Sequence, residues 1–306
     1  MIVNMLFFAG EDRSAMKHEI IKPSQRKRYE FIEFQLMWGG TIGRKLLKDK
    51  FEISLQQATL DLTSYLDLAP KNMSYDPRQR TYVARTSFRP VFIKGEAKEY
   101  LHHLEMLHYG YRDADEIWPA SIPAFDAVAA SSRNTDPKTL KAVLRAIRDR
   151  HCLEVMYVSL SSESERPRCL YPHAIASDGH RWHMRAYDED NDRHSDFVLS
   201  RVETIKAKED SARDLPEDKE WSTIVDIRLR PDPSLGERQR RRLEIEYNMK
   251  GGELEINVRQ AMVFYYLRFY GFNPHETQDG MIRNVSSFSL NIVNLKEIEE
   301  CIGRRS

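Results

Sequence analysis

The sequence has no apolar run of the roughly 18–20 residues that a membrane-spanning helix requires. The one apolar stretch near its beginning, Ile2 to Ala9, has no basic residue before it and is followed by two acidic residues. Such a stretch makes a poor signal peptide, and we interpret it as a flexible or strand-like extension. We therefore expect a cytoplasmic protein with no membrane partner.

Cysteine is scarce, and the motifs of common enzymes are missing. The three cysteines, at 152, 169 and 301, form no C-x-x-C pair, so they predict neither a disulfide framework nor a zinc site and fit a reducing cytoplasm. The sequence also lacks G-x-S-x-G, a P-loop, H-E-x-x-H and closely spaced carboxylate and histidine pairs. We predict no catalytic residue, no metal site and no cofactor. A hydrolase or phosphodiesterase is the alternative of a different class.

The sequence also lacks a net charge, because 47 basic side chains balance 47 acidic ones over 306 residues. A zero balance argues against nucleic-acid binding only if the charge is evenly spread. Residues 1–95 hold 16 Lys/Arg and 10 Asp/Glu, residues 96–135 hold 3 and 7, and residues 136–306 hold 28 and 30. The basic excess therefore lies in the first third of a chain long enough for two or three domains.

Apolar residues at helical spacing predict three short helices in this basic third. The predicted elements are a helix over 24–37, a helix over 42–50, a helix opening at 54, and a hairpin with strands at 73–75 and 80–83. Gly39 and Gly40 end the first helix, Thr41 caps the second, and Ser54 opens the third with the spacing of a capping box. Three helices and a hairpin are the plan of a winged helix-turn-helix.

In a helix-turn-helix the third helix enters the major groove, and a hairpin wing usually contacts the backbone or the minor groove. Glutamine and threonine on that helix can contact base edges, while basic residues contact phosphate. The residues that we expect at the DNA are Arg44, Lys45, Lys48, Ser54, Gln56, Gln57, Thr59, Thr63, Arg78 and Arg80. A three-helix module with a solvated polar face, or one that binds a protein, has the same pattern.

In the rest of the chain, the spacing of apolar residues changes from helical to the two-residue period of strands. A helix from Pro137 precedes strands at 153–159, 169–177, 182–187 and 196–202, which form a small bent sheet. A charged connector at 213–220 leads to a strand, a charged helix, a strand and an apolar helix. The fold class is α+β multidomain. The predicted domains are 1–95 (winged helix), 96–135 (helical connector), 136–212 (sheet domain) and 213–306 (C-terminal extension).

Polar residues gather on the strands of the sheet domain. His183 and Arg185 are two residues apart and so face one side. Arginine and histidine donors without a carboxylate partner suit an anionic ligand, and Tyr157 offers a stacking surface for a nucleobase. The alternative is that Arg185 and Arg201 form surface ion pairs with Glu154, Asp188 or Glu203, and that the histidines fill the core.

These residues resemble a known family. The sheet motifs are Tyr171-Pro172-His173, the run from Arg181 to Asp188, and the run from Phe197 to Val202; Trp182-His183-Met184 stands where the WYL domain has the Trp-Tyr-Leu triplet of its name. The N-terminal motifs are 38–44, 51–54, 57–65 and 69–76. Together they resemble the winged-helix WYL repressors that accompany BREX and CBASS anti-phage defence systems in bacteria.

The resemblance implies a homodimeric transcription factor, usually a repressor, that binds an inverted-repeat operator in double-stranded DNA. It implies an N-terminal winged helix, a central WYL sensor with a small Sm-like sheet, and a C-terminal α/β dimerisation extension. In such proteins the sensor is expected to bind a nucleotide or nucleic-acid fragment. Carried over by motif, its residues are Tyr157, Ser159, Arg168, His173, His183, Arg185 and Arg201. An activator of the same architecture is the second possibility.

Overall fold

The computed structural model describes residues 21–128, 134–160, 166–208, 214–278, 281–284 and 289–303. The apolar stretch at 2–9 lies outside these residues. The chain forms two compact units, Met1–Ala129 and Ala130–Ser306. Within the described ranges, no helix is both long and apolar enough to cross a membrane.

The first unit is a winged helix followed by a further helix. Its elements are α1 (Pro23–Phe34, continued by a π-helical turn Gln35–Gly39), β1 (Thr41–Ile42), α2 (Arg44–Phe51), α3 (Leu55–Leu68), β2 (Met73–Asp76), β3 (Thr81–Ala84) and α4 (Ala97–His108). The three strands form one antiparallel sheet in the order β1-β3-β2. The predicted hairpin and three helices are therefore present.

The core of this unit explains why the helices form where they do. Tyr29, Ile32, Leu62 and Tyr65 are fully buried in one cluster, so the apolar faces of α1 and α3 pack together. Gly40 adopts a positive φ of 74°, a conformation that glycine tolerates best, and ends the first helix as predicted.

One local prediction is wrong. Thr41 does not cap α2, because Thr41 and Ile42 pair with Val83 and Tyr82 and add a third strand to the wing sheet. The helix begins two residues after this strand, with Gly43 at its N-cap position and no side-chain cap. Pairing with a distant hairpin therefore overrides the local capping preference.

Glu33 is a fully buried carboxylate on α1. Its oxygens accept hydrogen bonds from the backbone N–H groups of Val91, Phe92 and Ile93 and from the Tyr65 hydroxyl. Burial raises its pKa, and these hydrogen bonds only partly oppose that effect. Glu33 thus holds the segment at 91–93, which follows the wing, against the helical core.

The second unit contains two sheets of different order and a hairpin. Its elements are α5 (Pro137–Asp149), β4 (Cys152–Tyr157), β5 (Arg168–Ser177), β6 (Trp182–Asp188), β7 (Arg193–Val198), a 3₁₀ turn (Leu199–Arg201), β8 (Val202–Lys208), α6 (Lys219–Ser222), β9 (Ile224–Pro231), α7 (Glu237–Glu246), β10 (Leu254–Arg259), a 3₁₀ turn (Gln260–Met262), α8 (Val263–Phe269), β11 (Phe272–Gln278), β12 (Met281–Asn284), β13 (Leu290–Ile292) and α9 (Leu295–Gly303).

The first sheet of this unit is antiparallel, with the strand order β7-β6-β5-β4-β8. Val143 and Ala146 of α5 are buried against it together with Leu153 and Met184. The predicted strand at 196–202 is instead two strands, β7 and β8, separated by the 3₁₀ turn at Leu199–Arg201. This turn lets the chain cross from one edge of the sheet to the other.

The second sheet has the order β10-β9-β13, also antiparallel. Val263 and Leu267 of α8 and Ile298 of α9 pack on it in one buried cluster. β9, α7, β10 and α8 correspond to the predicted strand, charged helix, strand and apolar helix, whereas the elements after α8 were not predicted. β11 and β12 pair with each other as a separate hairpin.

The prediction that the cysteines form no disulfide is wrong for one pair. Cys152 and Cys169 are joined, with their sulfur atoms 1.96 Å apart. They lie on β4 and β5, which pair antiparallel through Leu153 and Leu170. The cysteines are 17 residues apart, and the sequence gives no sign of this contact because it depends on how β4 and β5 pair.

Candidate functional site

The exposed face of α3 carries the polar residues that we expected at DNA. Ser54 caps the helix, since its hydroxyl accepts a hydrogen bond of 3.0 Å from the Gln57 backbone N–H. Gln56, Thr59 and Thr63 are all exposed, and their spacing of three and four residues places them on one side of the helix. Leu60 lies among them and is 58% exposed, which the sequence analysis missed.

Gln57 faces a different way. Its amide nitrogen donates to Asp61 at 3.1 Å, and Asp61 has a fully buried side chain. Arg28 of α1 donates to both oxygens of the same carboxylate, at 2.6 and 3.1 Å. This fork ties α1 to α3, and Gln57 belongs to the same hydrogen-bonded group.

The expected phosphate contacts are all at the surface of the first unit. Arg44, Lys45 and Lys48 are exposed on α2, where Lys48 also lies 3.2 Å from the neighbouring Asp49 carboxylate. Arg78 and Arg80 are exposed in the turn between β2 and β3. The arrangement offers five cations on two elements that flank α3 in the chain.

The wing also has an aromatic pair that the sequence analysis did not single out. The Tyr75 and Tyr82 rings pack edge to face, with centroids 5.3 Å apart, and Tyr75 is 54% exposed. Asp76 accepts hydrogen bonds from the backbone N–H groups of Arg78 and Gln79 and so shapes the turn. Tyr75 therefore adds a flat surface beside the wing arginines.

Arg185 is the centre of the second site. Its side chain is 2% exposed, and it lies on β6 directly opposite Asp196 of β7. Its Nε and Nη2 donate to the two oxygens of Asp218 at 2.7 and 3.1 Å, Nη2 also donates to Glu220 at 2.9 Å, and Nη1 donates to Asp196 at 3.3 Å.

This arrangement corrects a premise of the sequence analysis. Arg185 does have carboxylate partners, and they are neither Glu154, Asp188 nor Glu203. Asp218 and Glu220 come from the charged connector, more than 30 residues along the chain. Burial alone would lower the pKa of Arg185, but the hydrogen bond to Asp218 and the charges of the carboxylates raise it, so the guanidinium stays charged.

His173 reaches the same carboxylate because of a bulge in the sheet. Pro172 and Ala174 of β5 pair with consecutive residues of β6, so His173 between them is the extra residue. Its Nε2 lies 2.9 Å from Asp218 Oδ2. Burial would raise the pKa of Asp218, but the hydrogen bonds from His173 and Arg185 lower it far below its usual range.

His194 of β7 completes this group and was missed from the sequence. It lies opposite Tyr187, with the ring centroids 5.4 Å apart, and 5.5 Å from the His173 ring. Burial lowers its pKa and favours the neutral ring. The ligand atoms of His173, His194 and Asp218 lie within 4.8 Å of one another, a spacing that suits a divalent cation, but the Arg185 charge on the same carboxylate opposes one.

His183 lies two residues from Arg185 and is almost fully buried. Its ring packs on Tyr265 of α8, with centroids 5.2 Å apart, and its Nδ1 has no hydrogen-bond partner among the described residues. Burial lowers its pKa; the charge of Arg201 acts in the same direction, while Asp178 acts in the opposite one. The structure therefore keeps His183 neutral and close enough to Arg201 to be influenced by its charge.

The other expected sensor residues are less closely grouped. Tyr157 packs edge to face on Phe197, and its hydroxyl accepts a hydrogen bond from the Val198 backbone N–H, so its ring is part of the sheet packing. Arg168 pairs with Asp188 at 3.0 Å. Both Ser159 and Arg201 were predicted to lie on strands, but Ser159 follows the end of β4 and Arg201 lies in the 3₁₀ turn.

Two cavities adjoin this group and share Tyr265. One, of about 460 Å³, is lined by Arg185, His194 and the connector carboxylates. The other, of about 580 Å³, is lined by aromatic residues that include Trp221 and Phe269. In the aromatic-rich run at 264–270, Phe269 is 63% exposed while Leu267 is buried.

The comparisons with known proteins agree with this architecture. Three family models match: the BrxR transcriptional regulator winged helix-turn-helix domain over residues 24–106, the WYL domain over 138–207, and the BrxR transcriptional regulator C-terminal dimerization domain over 224–298. The chain is 35% identical over 284 residues to the DNA-binding transcriptional repressor CapW of Pseudomonas aeruginosa, covering 91% of this chain and 92% of that protein.

CapW of Stenotrophomonas maltophilia is 36% identical over 250 residues, which cover 81% of this chain and 83% of that protein. Among solved structures, proteasome accessory factor B/C of Arthrobacter aurescens matches with a TM-score of 0.30 and 13% identity. The match covers 93% of this chain and 46% of that one.

Proposed function

Because the chain belongs to the family of CapW DNA-binding transcriptional repressors, with BrxR-type winged-helix and dimerisation domains around a WYL domain, we propose that it is a homodimeric repressor of a phage-defence operon. It acts on DNA in the bacterial cytoplasm and performs no catalysis. We keep the proposed domain division at 1–95, 96–135, 136–212 and 213–306.

The observation that carries the proposal is the exposed face of α3 between two basic elements. Gln56, Thr59 and Thr63 are exposed on a helix that Arg28 and Asp61 fix from behind. Such side chains can pair with base edges, while the cations of α2 and the wing neutralise phosphates and make binding depend on salt. In a dimer, two such helices placed about 34 Å apart would contact an inverted repeat.

We further propose that the WYL domain binds an anionic ligand derived from a nucleotide or nucleic acid, which modulates DNA binding. Arg185, His173 and His194 supply the donors, and the neighbouring aromatic cavity supplies surfaces for a base. The ligand can shift the protein between DNA-bound and released states only by as much as its affinity differs between them.

A mobility shift on the DNA upstream of the protein's own gene tests the proposal. We expect binding at physiological salt that an excess of scrambled DNA does not compete away. Arg80→Ala should weaken DNA binding several-fold. Arg112→Ala, which removes an equal charge from the helical connector at 96–135, should not. Equal affinity for the scrambled sequence would contradict sequence-specific repression.

Repression and activation differ in outcome. A reporter driven by the same upstream DNA should rise when the gene is deleted, and a fall would indicate an activator instead. Turnover of cyclic oligonucleotides by the purified protein would revive the enzyme alternative.

A further inference from the structure

The bidentate contact between Arg185 and Asp218 has the geometry that arginine uses to bind phosphate. Asp218 and Glu220 belong to an acidic segment, residues 217–221, which precedes the part of the chain matched by the dimerization-domain model, residues 224–298. The protein's own carboxylates therefore stand where an anionic ligand of the WYL domain would bind.

The charges around Arg185 define what such a ligand must carry. Asp196, its partner on the neighbouring strand, already balances the single positive charge of the guanidinium. Asp218 and Glu220 add two more negative charges beside it. A ligand with about two negative charges, such as a phosphate monoester, would preserve this balance if it replaced both.

The acidic segment is short and is held mainly by polar contacts. α6 has only four residues, and none of them is buried. The segment's contacts with the rest of the protein are mainly polar: the bonds of Asp218 and Glu220 to Arg185, the bond of Asp218 to His173, and the bond from Arg259 to the Trp221 carbonyl. Once Arg185 and His173 bind another anion, little apolar burial holds the segment in place.

The same segment leads directly into the dimerisation domain. Arg259 at the end of β10 donates to the Trp221 carbonyl at 2.6 Å, and its guanidinium lies 4.8 Å from the centre of the Trp221 ring. The Gln260 backbone N–H donates to the Thr223 carbonyl at 2.9 Å, next to the first residue of β9. Displacement of the segment would therefore disturb an edge of the sheet formed by β9 and β10.

We propose that residues 217–221 act as an internal ligand of the WYL domain, and that a phosphate ester bearing two negative charges controls the protein by replacing Asp218 and Glu220 on Arg185. The inference rests on the proposed function, because it specifies the ligand class and the regulation of the same site. It also assigns roles to connector residues that lie outside the predicted sensor set.

The test is calorimetric titration of the full-length protein with adenosine 5′-monophosphate, inorganic phosphate and uncharged adenosine. Glu220→Gln removes one competing carboxylate while keeping the side-chain shape, and should tighten monophosphate binding about tenfold. Glu217→Gln removes the same charge from the same cavity, but Glu217 makes no hydrogen bond to Arg185. This variant should change the affinity for the monophosphate by less than about twofold. Asp218→Asn, which keeps a helix-capping side chain, provides a second gain-of-affinity variant.

Equal gains in Glu220→Gln and Glu217→Gln would indicate a general field effect and overturn the exchange. So would the absence of binding, or adenosine binding as tightly as the monophosphate. Inorganic phosphate that binds as tightly as the nucleotide would identify the phosphate alone as the ligand chemistry. Hydrogen exchange at residues 221–223 should accelerate when the monophosphate binds. The operator mobility shift without ligand is independent of these results, so failure of exchange and failure of repression can be distinguished.

Discussion

Replacing Arg185 by methionine should strongly destabilise the second unit. The substitution keeps a long side chain of similar shape but removes a charge that is 2% exposed and bonded to three carboxylates. Removing one partner of a buried ion pair costs about 3–5 kcal/mol, since the other partner is left without compensation. Asp196 is less than one-tenth exposed and is held on β7 by its pairing with β6, so solvent cannot replace its lost bond.

For a unit of this size, each kcal/mol lowers the melting temperature by about 2–4 °C, so we expect a fall of about 6–20 °C. Differential scanning calorimetry of the full chain would measure it, with Arg193→Met as the control. Arg193 is exposed and lines the same cavity, so its loss should cost less than about 0.5 kcal/mol.

A double variant provides the decisive comparison. Adding Asp218→Asn to Arg185→Met removes one of the uncompensated charges and should recover part of the loss. A cost below about 1 kcal/mol for Arg185→Met, or no recovery in the double variant, would refute the reasoning that the carboxylates depend on this arginine.

Three further predictions concern other parts of the protein. Ser54→Ala should lower the free energy of unfolding of the first unit by about 1 kcal/mol in urea denaturation, because it removes the α3 cap. Lys45→Ala should reduce the salt dependence of operator binding by about one unit of slope, whereas Gln56→Ala should cost about 1–3 kcal/mol on the operator only. Burial lowers the pKa of His183, so as the pH falls through about 6.5 the unfolded chain takes up its proton before the folded chain does. Stability of the second unit should therefore fall as the pH drops through that range, and His183→Asn should flatten the profile.

Each of these has a result that would contradict it. Full stability of Ser54→Ala, with no difference from Ser54→Thr, would show that the cap contributes nothing. An equal effect of Gln56→Ala on operator and scrambled DNA would remove that residue from sequence recognition. A pH profile of His183→Asn identical to that of the wild type would show that other groups, such as His194, account for the dependence.

The winged helix could be predicted because its signals are local. Apolar residues at 29, 32, 62 and 65 recur at helical spacing, and Ser54 has the capping pattern that the structure confirms. The exception is Thr41, whose local preference for a helix cap is overridden by pairing with Val83. A partner 42 positions away leaves no periodic trace around Thr41 itself.

Only part of the sensor site could be predicted from the sequence. The sequence shows that His183 and Arg185 share a face, because strand period fixes it. It does not show that Asp218 and Glu220 return to that face, since the connector has neither helical nor strand periodicity. The bulge at His173 is equally hidden, because it depends on the register between β5 and β6.

The Arg28–Asp61 fork divides α3 into two sides with separate constraints. Substitutions at Asp61 or Gln57 would disturb how the helix is held, whereas the exposed positions 56, 59, 60 and 63 bear little of the fold's stability. Under the proposed function, relatives could therefore diverge at these four positions and acquire new operators without losing the scaffold. Libraries at the same positions are the natural starting point for designed repressors.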